Sequence, residues 1–283
     1  MFHYVRPIRN SRWPRIRGLE LADFKSQLAY LRRNYTIVSL PDVINALDGG
    51  ELPDNACLLT FDDGYLDHYQ HVFPLLFDAK VSGAFFPIGR GVAERWVADV
   101  NKIHLILHEG NLSWLVGHCR NVSGMSPDKP GRFDDADTSF VKRTLQAWPS
   151  ETIASIFGDI VSKDERSLAD ELYMTPEHIK VMAANGMHFG VHGWNHVRFS
   201  RMTEAEQAQD LDASIAFLCG LGVLPERWAM CYPYGAWTDF NEATVKLLGD
   251  RGCAAAFTTR SATGKGHGRY LVPRLDTNDV PRA

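Results

Sequence analysis

Short apolar, β-branched runs alternate with helix-patterned stretches along most of the chain. This alternation is the strongest constraint on its fold. Residues 21–34 carry apolar side chains at helical spacing (Leu21, Phe24, Leu28, Leu31). Residues 35–40 form a β-branched run, and 41–47 read as a short helix with Pro41 at an opening position. The run 56–61 reads as a strand that stops abruptly at Asp62-Asp63-Gly64, followed by a helix at 66–80 and a strand at 83–88. Further on, Thr175-Pro176-Glu177 opens a helix to about residue 185, and 187–191 reads as a strand. Thr203-x-x-Glu206 is a capping-box signature before a helix to about residue 221. A strand at 228–232, a helix from Asp239-x-x-Glu242 to about 250, and strands at 253–258 and 270–275 complete the pattern. Strands alternating with helices imply an α/β protein with a mainly parallel sheet.

The segment at about 89–172 departs from this rhythm. Its stretch 121–138 is rich in Ser, Gly, Pro and Asp, with helical patterns at 101–107 and 152–161 around it. It reads as a largely helical insertion into one domain spanning 1–283.

Four features carry chemistry. Thr60-Phe61-Asp62-Asp63-Gly64 ends an apolar strand with adjacent carboxylates. The carboxyl end of a parallel strand is where α/β enzymes place their active sites, and adjacent like charges want a cation or a proton. Asp-Asp-Gly is also good turn chemistry. His192-Gly193-Trp194-Asn195-His196 follows another strand, and two histidines four apart can aim at one point or simply sit in a loop. One Asp with two His makes three ligands and leaves a position for water, as in catalytic metal sites. Met230-Cys231-Tyr232-Pro233-Tyr234-Gly235 ends a third strand, where a Pro-aromatic turn is the plain alternative. In Leu271-Val272-Pro273-Arg274-Leu275 an arginine lies within a strand-like run, and a buried arginine wants a carboxylate.

Composition narrows the partners. The net charge of −4 argues against nucleic acid, which needs a basic face. Arg6, Arg9, Arg12, Arg15 and Arg17 form the one basic stretch, read as a solvated loop or as contact for an anionic substrate such as a nucleotide- or lipid-linked sugar. Five cysteines, Cys57, Cys119, Cys219, Cys231 and Cys253, show no disulfide or zinc-ribbon spacing. Cys57, Cys231 and Cys253 read as buried free thiols, which fits a reducing compartment. The N-terminal stretch lacks an apolar signal region, and no apolar run reaches the length of a membrane span. The expectation is a cytoplasmic protein; oligomeric state is not legible.

Taken in order, the motifs resemble those of the polysaccharide deacetylases of the NodB-homology type (carbohydrate esterase family four). TFDDG matches that family's first motif. His192-Gly-Trp-Asn-His196 matches the second, H-[ST]-x-x-H, with Gly193 in place of the hydroxyl residue. CYPYG matches the third, R-x-P-[YF]. Gly83-Ala84-Phe85-Phe86, Met174-Thr175-Pro176 and Asn185-Gly186-Met187 agree with the surrounding text, so the resemblance covers the chain outside the insertion. It implies a distorted (β/α) barrel with fewer than eight strands. It also implies Asp62 as catalytic base, Asp63, His192 and His196 as ligands of a divalent metal, and the Tyr234 backbone N–H as oxyanion donor. Zinc suits one carboxylate and two imidazoles best, with cobalt, nickel or manganese as substitutes.

Two departures stand out. Cys231 replaces the arginine that orients the catalytic Asp, and Arg274 is expected to approach Asp62 from a neighbouring strand instead. The late histidine that serves the family as general acid has no motif after Arg274; His267 lies in the Gly-rich stretch 264–268 and reads as surface loop. His3 is a candidate for the rim. Tyr65, Trp194, Tyr232, Tyr234 and Trp237 could stack on a sugar or pack the rim. The resemblance implies hydrolysis of an N-acetyl group on an amino sugar of a surface polysaccharide or its precursor. The alternatives are an O-acetyl carbohydrate esterase, a non-sugar amidase, or a catalytically weak metal-binding pseudoenzyme on the same barrel.

Overall fold

A row of phenylalanines crosses the centre of the molecule. In the computed structural model, which describes all residues except Ser162, Gly264, Lys265 and Ala283, Phe2 stacks on Phe61 and Phe61 on Phe85, with ring centroids 5.1 and 4.7 Å apart. Phe85 continues to Phe189 at 5.7 Å. Each is almost fully buried, worth about 1.5–3 kcal/mol per side chain. The row follows the strand register: Phe2 lies beside Phe61, Phe61 beside Phe85, and Phe85 beside Phe189.

The strands themselves are short, and the named ones pair only in parallel. β1 (Val5–Arg6) pairs with β2 (Leu19–Glu20), and β3 (Thr36–Ile37) with β4 (Ala56–Cys57). β5 (Thr60–Asp63), β6 (Ala84–Pro87) and β7 (His188–Phe189) form one sheet, and β8 (Trp228–Cys231) pairs with β9 (Cys253–Phe257). A single bridge, Val191 beside Met230, connects the chain after β7 to β8, and another sets Val272 beside Phe257 of β9. The Met1 nitrogen donates to the Leu275 carbonyl at 2.7 Å. Neighbour contacts therefore run from residue 2 through β5 to β9 and Val272, and return to residue 1. The stretch expected as a strand at 270–275 contributes only the Val272 bridge, because Pro273 has no N–H to give.

Helices follow the strands. α1 (Leu21–Asn34) buries Phe24, Leu28 and Leu31, and α2 (Leu40–Leu47) starts from a Ser39–Asp42 capping box. The expected helix at 66–80 starts with α-helical residues 66–67, winds as a π-turn over His68–Val72, and continues as α3 (Phe73–Asp78). Six helices fill 89–172: α4 (Gly89–Glu94), α5 (Asp99–Glu109), α6 (Leu112–Ser123), α7 (Ala136–Leu145), α8 (Ser150–Ile160) and α9 (Glu165–Leu172). No strand occurs there among the described residues, and the strands on either side, β6 and β7, are neighbours. α10 (Pro176–Ala184), α11 (Glu204–Gly220) and α12 (Glu242–Asp250) complete the chain. The cap of α12 is Asn241 with Thr244, not Asp239, whose carboxylate instead pairs with Arg198. No helix of the described residues is long and apolar enough to cross a membrane.

The π-turn explains how the first residues are held. Asp67, just before it, accepts from Arg6 Nε at 2.7 Å and from the Val5 N–H at 3.2 Å. His68 Nε2 donates to the His3 carbonyl at 2.8 Å. His68 is fully buried, and burial pushes its imidazole pKa below the ordinary histidine value. Below about pH 6.5 the unfolded chain takes up a proton that folded His68 refuses, so stability is full above that pH and falls beneath it. His68→Gln should therefore lose less stability than the wild type between pH 7.5 and pH 5 in urea unfolding, although it starts lower. Equal losses would contradict this account.

Candidate active site

Asp62 and Asp63 end β5, and successive strand residues normally face opposite sides. Asp63 breaks the alternation with a left-handed φ of 73°, and Gly64 follows at φ +73°. A Cβ on Gly64 would lie 2.6 Å from Pro87 Cβ, so this turn admits only glycine. Both carboxylates consequently line one cavity. His196 (φ 52°) and Tyr234 (φ 62°) share the left-handed conformation, so each of the three motif loops carries one such non-glycine residue. Backbone of this kind costs on the order of 1–3 kcal/mol per residue and clusters where geometry serves function.

The two carboxylates meet different partners. Thr60 and Asp62, two apart, share a strand face, and both meet Arg274. Arg274 Nη1 donates to Asp62 Oδ1 at 2.8 Å and Nη2 to Oδ2 at 2.7 Å, while Nη1 also reaches Thr60 Oγ1 at 3.2 Å. Burial opposes the charge on Asp62, but the Arg274 guanidinium and His192 outweigh it and hold the carboxyl well below the usual range. Cys231 is fully buried and burial raises its thiol well above the ordinary value, so it supplies no charge.

Asp63 faces the histidines. Its Oδ1 lies 3.3 Å from His192 Nε2 and 3.4 Å from His196 Nε2, and has no hydrogen-bond partner although buried. Its Oδ2 accepts from the Tyr65 hydroxyl at 2.7 Å. His192 Nδ1 lies 2.7 Å from the Cys231 carbonyl and donates to it, which leaves the Nε2 lone pair aimed at Asp63. Burial lowers the His196 pKa to about 3, keeping that ring neutral. For His192 burial also opposes the charge, but Asp63 and Asp62 raise its pKa instead. Three ligand atoms about 2.1 Å from one ion at tetrahedral angles lie about 3.4 Å apart. Both Asp63–histidine separations match that spacing, and all three ligand atoms lie within 4.8 Å of one another, so the side chains present fit a divalent cation.

The loop between the histidines is clamped from α11. Asp210 Oδ1 accepts from the Trp194 N–H at 2.6 Å, and Oδ2 from the Asn195 N–H at 2.9 Å. A Cβ on Gly193 (φ +75°) would come within 2.9 Å of Asp210 Oδ1, which accounts for glycine where a hydroxyl residue was expected. The Tyr234 ring is held from outside by Arg198, whose guanidinium carbon sits 3.7 Å from the ring centroid.

The cavity has a volume of about 470 Å³ and is lined by His3, Asp62, Asp63, His192, His196 and Tyr234, among others. That is within the usual range for small-molecule sites, about 300–1,000 Å³. His3 is the residue that sequence reasoning left least defined. Its Nε2 is 3.9 Å from Asp62 Oδ2, and its side chain is 42% exposed. His267 does not line the cavity, and Gly264 and Lys265 of its stretch lie outside the described residues. Tyr65 is fully buried and Tyr232 stacks on Phe240 at 3.9 Å, so neither is free to stack on a sugar; Trp237 is exposed. Arg6 is buried on Asp67, Arg12 pairs with Glu171, and Arg17 pairs with Asp134 at the cavity wall. All five cysteines are free, but Cys57 is only half-buried and Cys219 is exposed. A larger, more open hollow of about 720 Å³ lies between residues 90–96 and 164–166; it holds none of the motif residues.

A family model described as polysaccharide deacetylase matches residues 49–111 and 132–254. The chain belongs to the polysaccharide deacetylase family. Over 80 residues it is 38% identical to the poly-beta-1,6-N-acetyl-D-glucosamine N-deacetylase of Escherichia coli K12. That match spans 28% of this chain and only 12% of the relative. The structure of IcaB from Ammonifex degensii superposes with a TM-score of 0.60 at 21% identity, over 97% of this chain and 89% of that one. A de-N-acetylase from Aggregatibacter actinomycetemcomitans gives 0.59 at 18% identity, over 98% and 94%. The Streptococcus pyogenes deacetylase PplD gives 0.58 at 17% identity, over 97% and 89%. These structures and this chain share an α/β fold.

Removing one partner of a buried pair strands the other charge, at a cost of about 3–5 kcal/mol. Arg274→Met should lose about that much stability in denaturant titration. Adding Asp62→Asn should recover part of it. Additive losses would mean that the pair is not coupled.

Proposed function

We propose that the protein is a metal-dependent hydrolase that removes N-acetyl groups from amino sugars of a surface polysaccharide or its precursor. One observation carries this reading. A buried carboxylate oxygen of Asp63 without a hydrogen-bond partner faces two imidazole nitrogens, in the same cavity as a second, ionised carboxylate. Family membership and the partial likeness to an N-deacetylase support the choice of substrate class. We also read the run of neighbouring strands as one distorted barrel with fewer than eight strands, and 89–172 as an insertion into that single domain.

Asp63, His192 and His196 would hold the cation, with zinc the best fit to the donor set and cobalt, nickel or manganese as substitutes. Bound there, it supplies Lewis acidity toward the acetyl carbonyl and acidifies a water molecule. The chain's own groups do the rest. Asp62 accepts the proton of the attacking water, its two oxygens each held from one side by Arg274. Arg274 fixes the direction of that carboxylate, the task an arginine at position 231 performs elsewhere in the family. The Tyr234 N–H, placed by its left-handed turn, donates to the developing oxyanion, a contact typically worth about 3 kcal/mol of barrier. His3, beside Asp62 and open to the cavity, gives a proton to the departing amine. This assignment fills the vacant role of general acid.

Acetate release from β-1,6-linked N-acetylglucosamine oligomers should disappear after chelation and return with added Zn²⁺ or Co²⁺. His3→Gln should lower turnover about 10²–10⁴-fold with little change in KM, the usual span for loss of a general acid. Release that survives chelation would overturn the proposal. A faster reaction on O-acetyl than on N-acetyl sugars would move it to the esterase alternative.

A further inference from the structure

Asn101 lies on α5, outside every motif, and is completely buried. Nothing in the mechanism above uses it. Its side chain nevertheless sits among three tyrosine hydroxyls. Nδ2 donates to Tyr65 Oη and to Tyr4 Oη, each at 2.7 Å, and Oδ1 accepts from the Tyr173 hydroxyl at 2.6 Å.

The direction of this chain is set at its far end. The Ala98 backbone N–H can only donate, and it donates to Tyr173 Oη at 3.1 Å. The single proton of Tyr173 then goes to Asn101 Oδ1. That turns the Asn101 amino group toward Tyr65, whose oxygen accepts. Tyr65 is left with one proton and gives it to Asp63 Oδ2. Asp63 is thereby capped on Oδ2, while Oδ1 stays unpartnered before the two histidines.

We propose that Asn101 is a positioning residue for the metal centre. The one-way hydrogen-bond chain from Ala98 through Tyr173, Asn101 and Tyr65 holds Asp63 to a single coordinating oxygen. The inference rests on Asp63 being a metal ligand. A carboxylate with both oxygens free can close on a cation through both and take the position that a water needs. A helix outside the motifs thus governs how many positions remain open at the centre. Partners that orient ligands in this way typically carry 10–100-fold of metal affinity.

The test titrates the metal-free, full-length chain with Zn²⁺ against a chromophoric chelator and records the visible spectrum of the Co²⁺ form. Asn101→Asp keeps the size but replaces the donor with an acceptor that draws the Tyr65 proton away. Tyr65→Phe removes one oxygen. Both should bind Zn²⁺ about 10–100-fold more weakly, and their Co²⁺ bands should weaken toward those of a higher-coordinate ion. If Asn101→Asp fails to fold, Tyr65→Phe carries the test alone. Tyr4→Phe removes a hydroxyl that meets Asn101 and Tyr65 but not Asp63, and should weaken binding less than Tyr65→Phe. Wild-type affinity and spectrum in folded Tyr65→Phe would overturn the proposal, as would an equal loss in Tyr4→Phe, which would reduce the cluster to packing. A wild-type chain that binds no Zn²⁺ overturns the metal reading itself, and this inference with it.

Discussion

Two adjacent, buried carboxylates must each find a separate source of positive charge, and the rest of the site follows from how this chain provides it. At the separation of neighbouring residues, two uncompensated charges in a desolvated cavity would force one to take up a proton. Asp62 is answered by the two-point grip of Arg274. Asp63 is turned through a left-handed backbone toward two imidazoles and one phenol. The compensation is asymmetric. Asp62 is held by a permanent cation, whereas the arrangement around Asp63 is one that a divalent ion would complete.

That division reaches into the architecture. Arg274 can grip Asp62 because the last strand-like stretch lies beside β9 and meets residue 1. His3 lies over the same carboxylate because the turn after Tyr65 ties residues 3–6 down through Asp67 and His68. The histidine loop keeps its shape through Asp210 on α11 and through the Cys231 carbonyl. Position 231 therefore contributes through its backbone, while the charge expected there arrives from Arg274.

Much of this was legible in the sequence, because it is local. Strand ends marked by Asp-Asp-Gly, a spaced histidine pair and a Pro-Tyr-Gly turn fall at the same end of parallel strands, so their grouping follows from alternation alone. Arg274 could be singled out as an arginine within a strand-like run. Other contacts between distant segments could not be read. Tyr65 looks like a rim aromatic, yet it is buried because its hydroxyl finds Asp63 and Asn101, the latter 36 positions away. His3 carries no local signature; its place depends on which strands are neighbours. The expected strand at 270–275 shrinks to one bridge at Val272, because Pro273 cannot extend a ladder. The expected helix at 66–80 widens into a π-turn at His68–Val72, where Asp67 and His68 are drawn inward by Arg6 and His3.

The division of labour between the two carboxylates is the centre of the account. It is tested most directly by comparing Asp62→Asn with Asp63→Asn for Zn²⁺ affinity and acetate release in the same preparations. The account predicts that folded Asp62→Asn still binds Zn²⁺ but releases no acetate, while Asp63→Asn loses both. Equal loss of Zn²⁺ binding in the two variants, or acetate release that persists in Asp62→Asn, would contradict it.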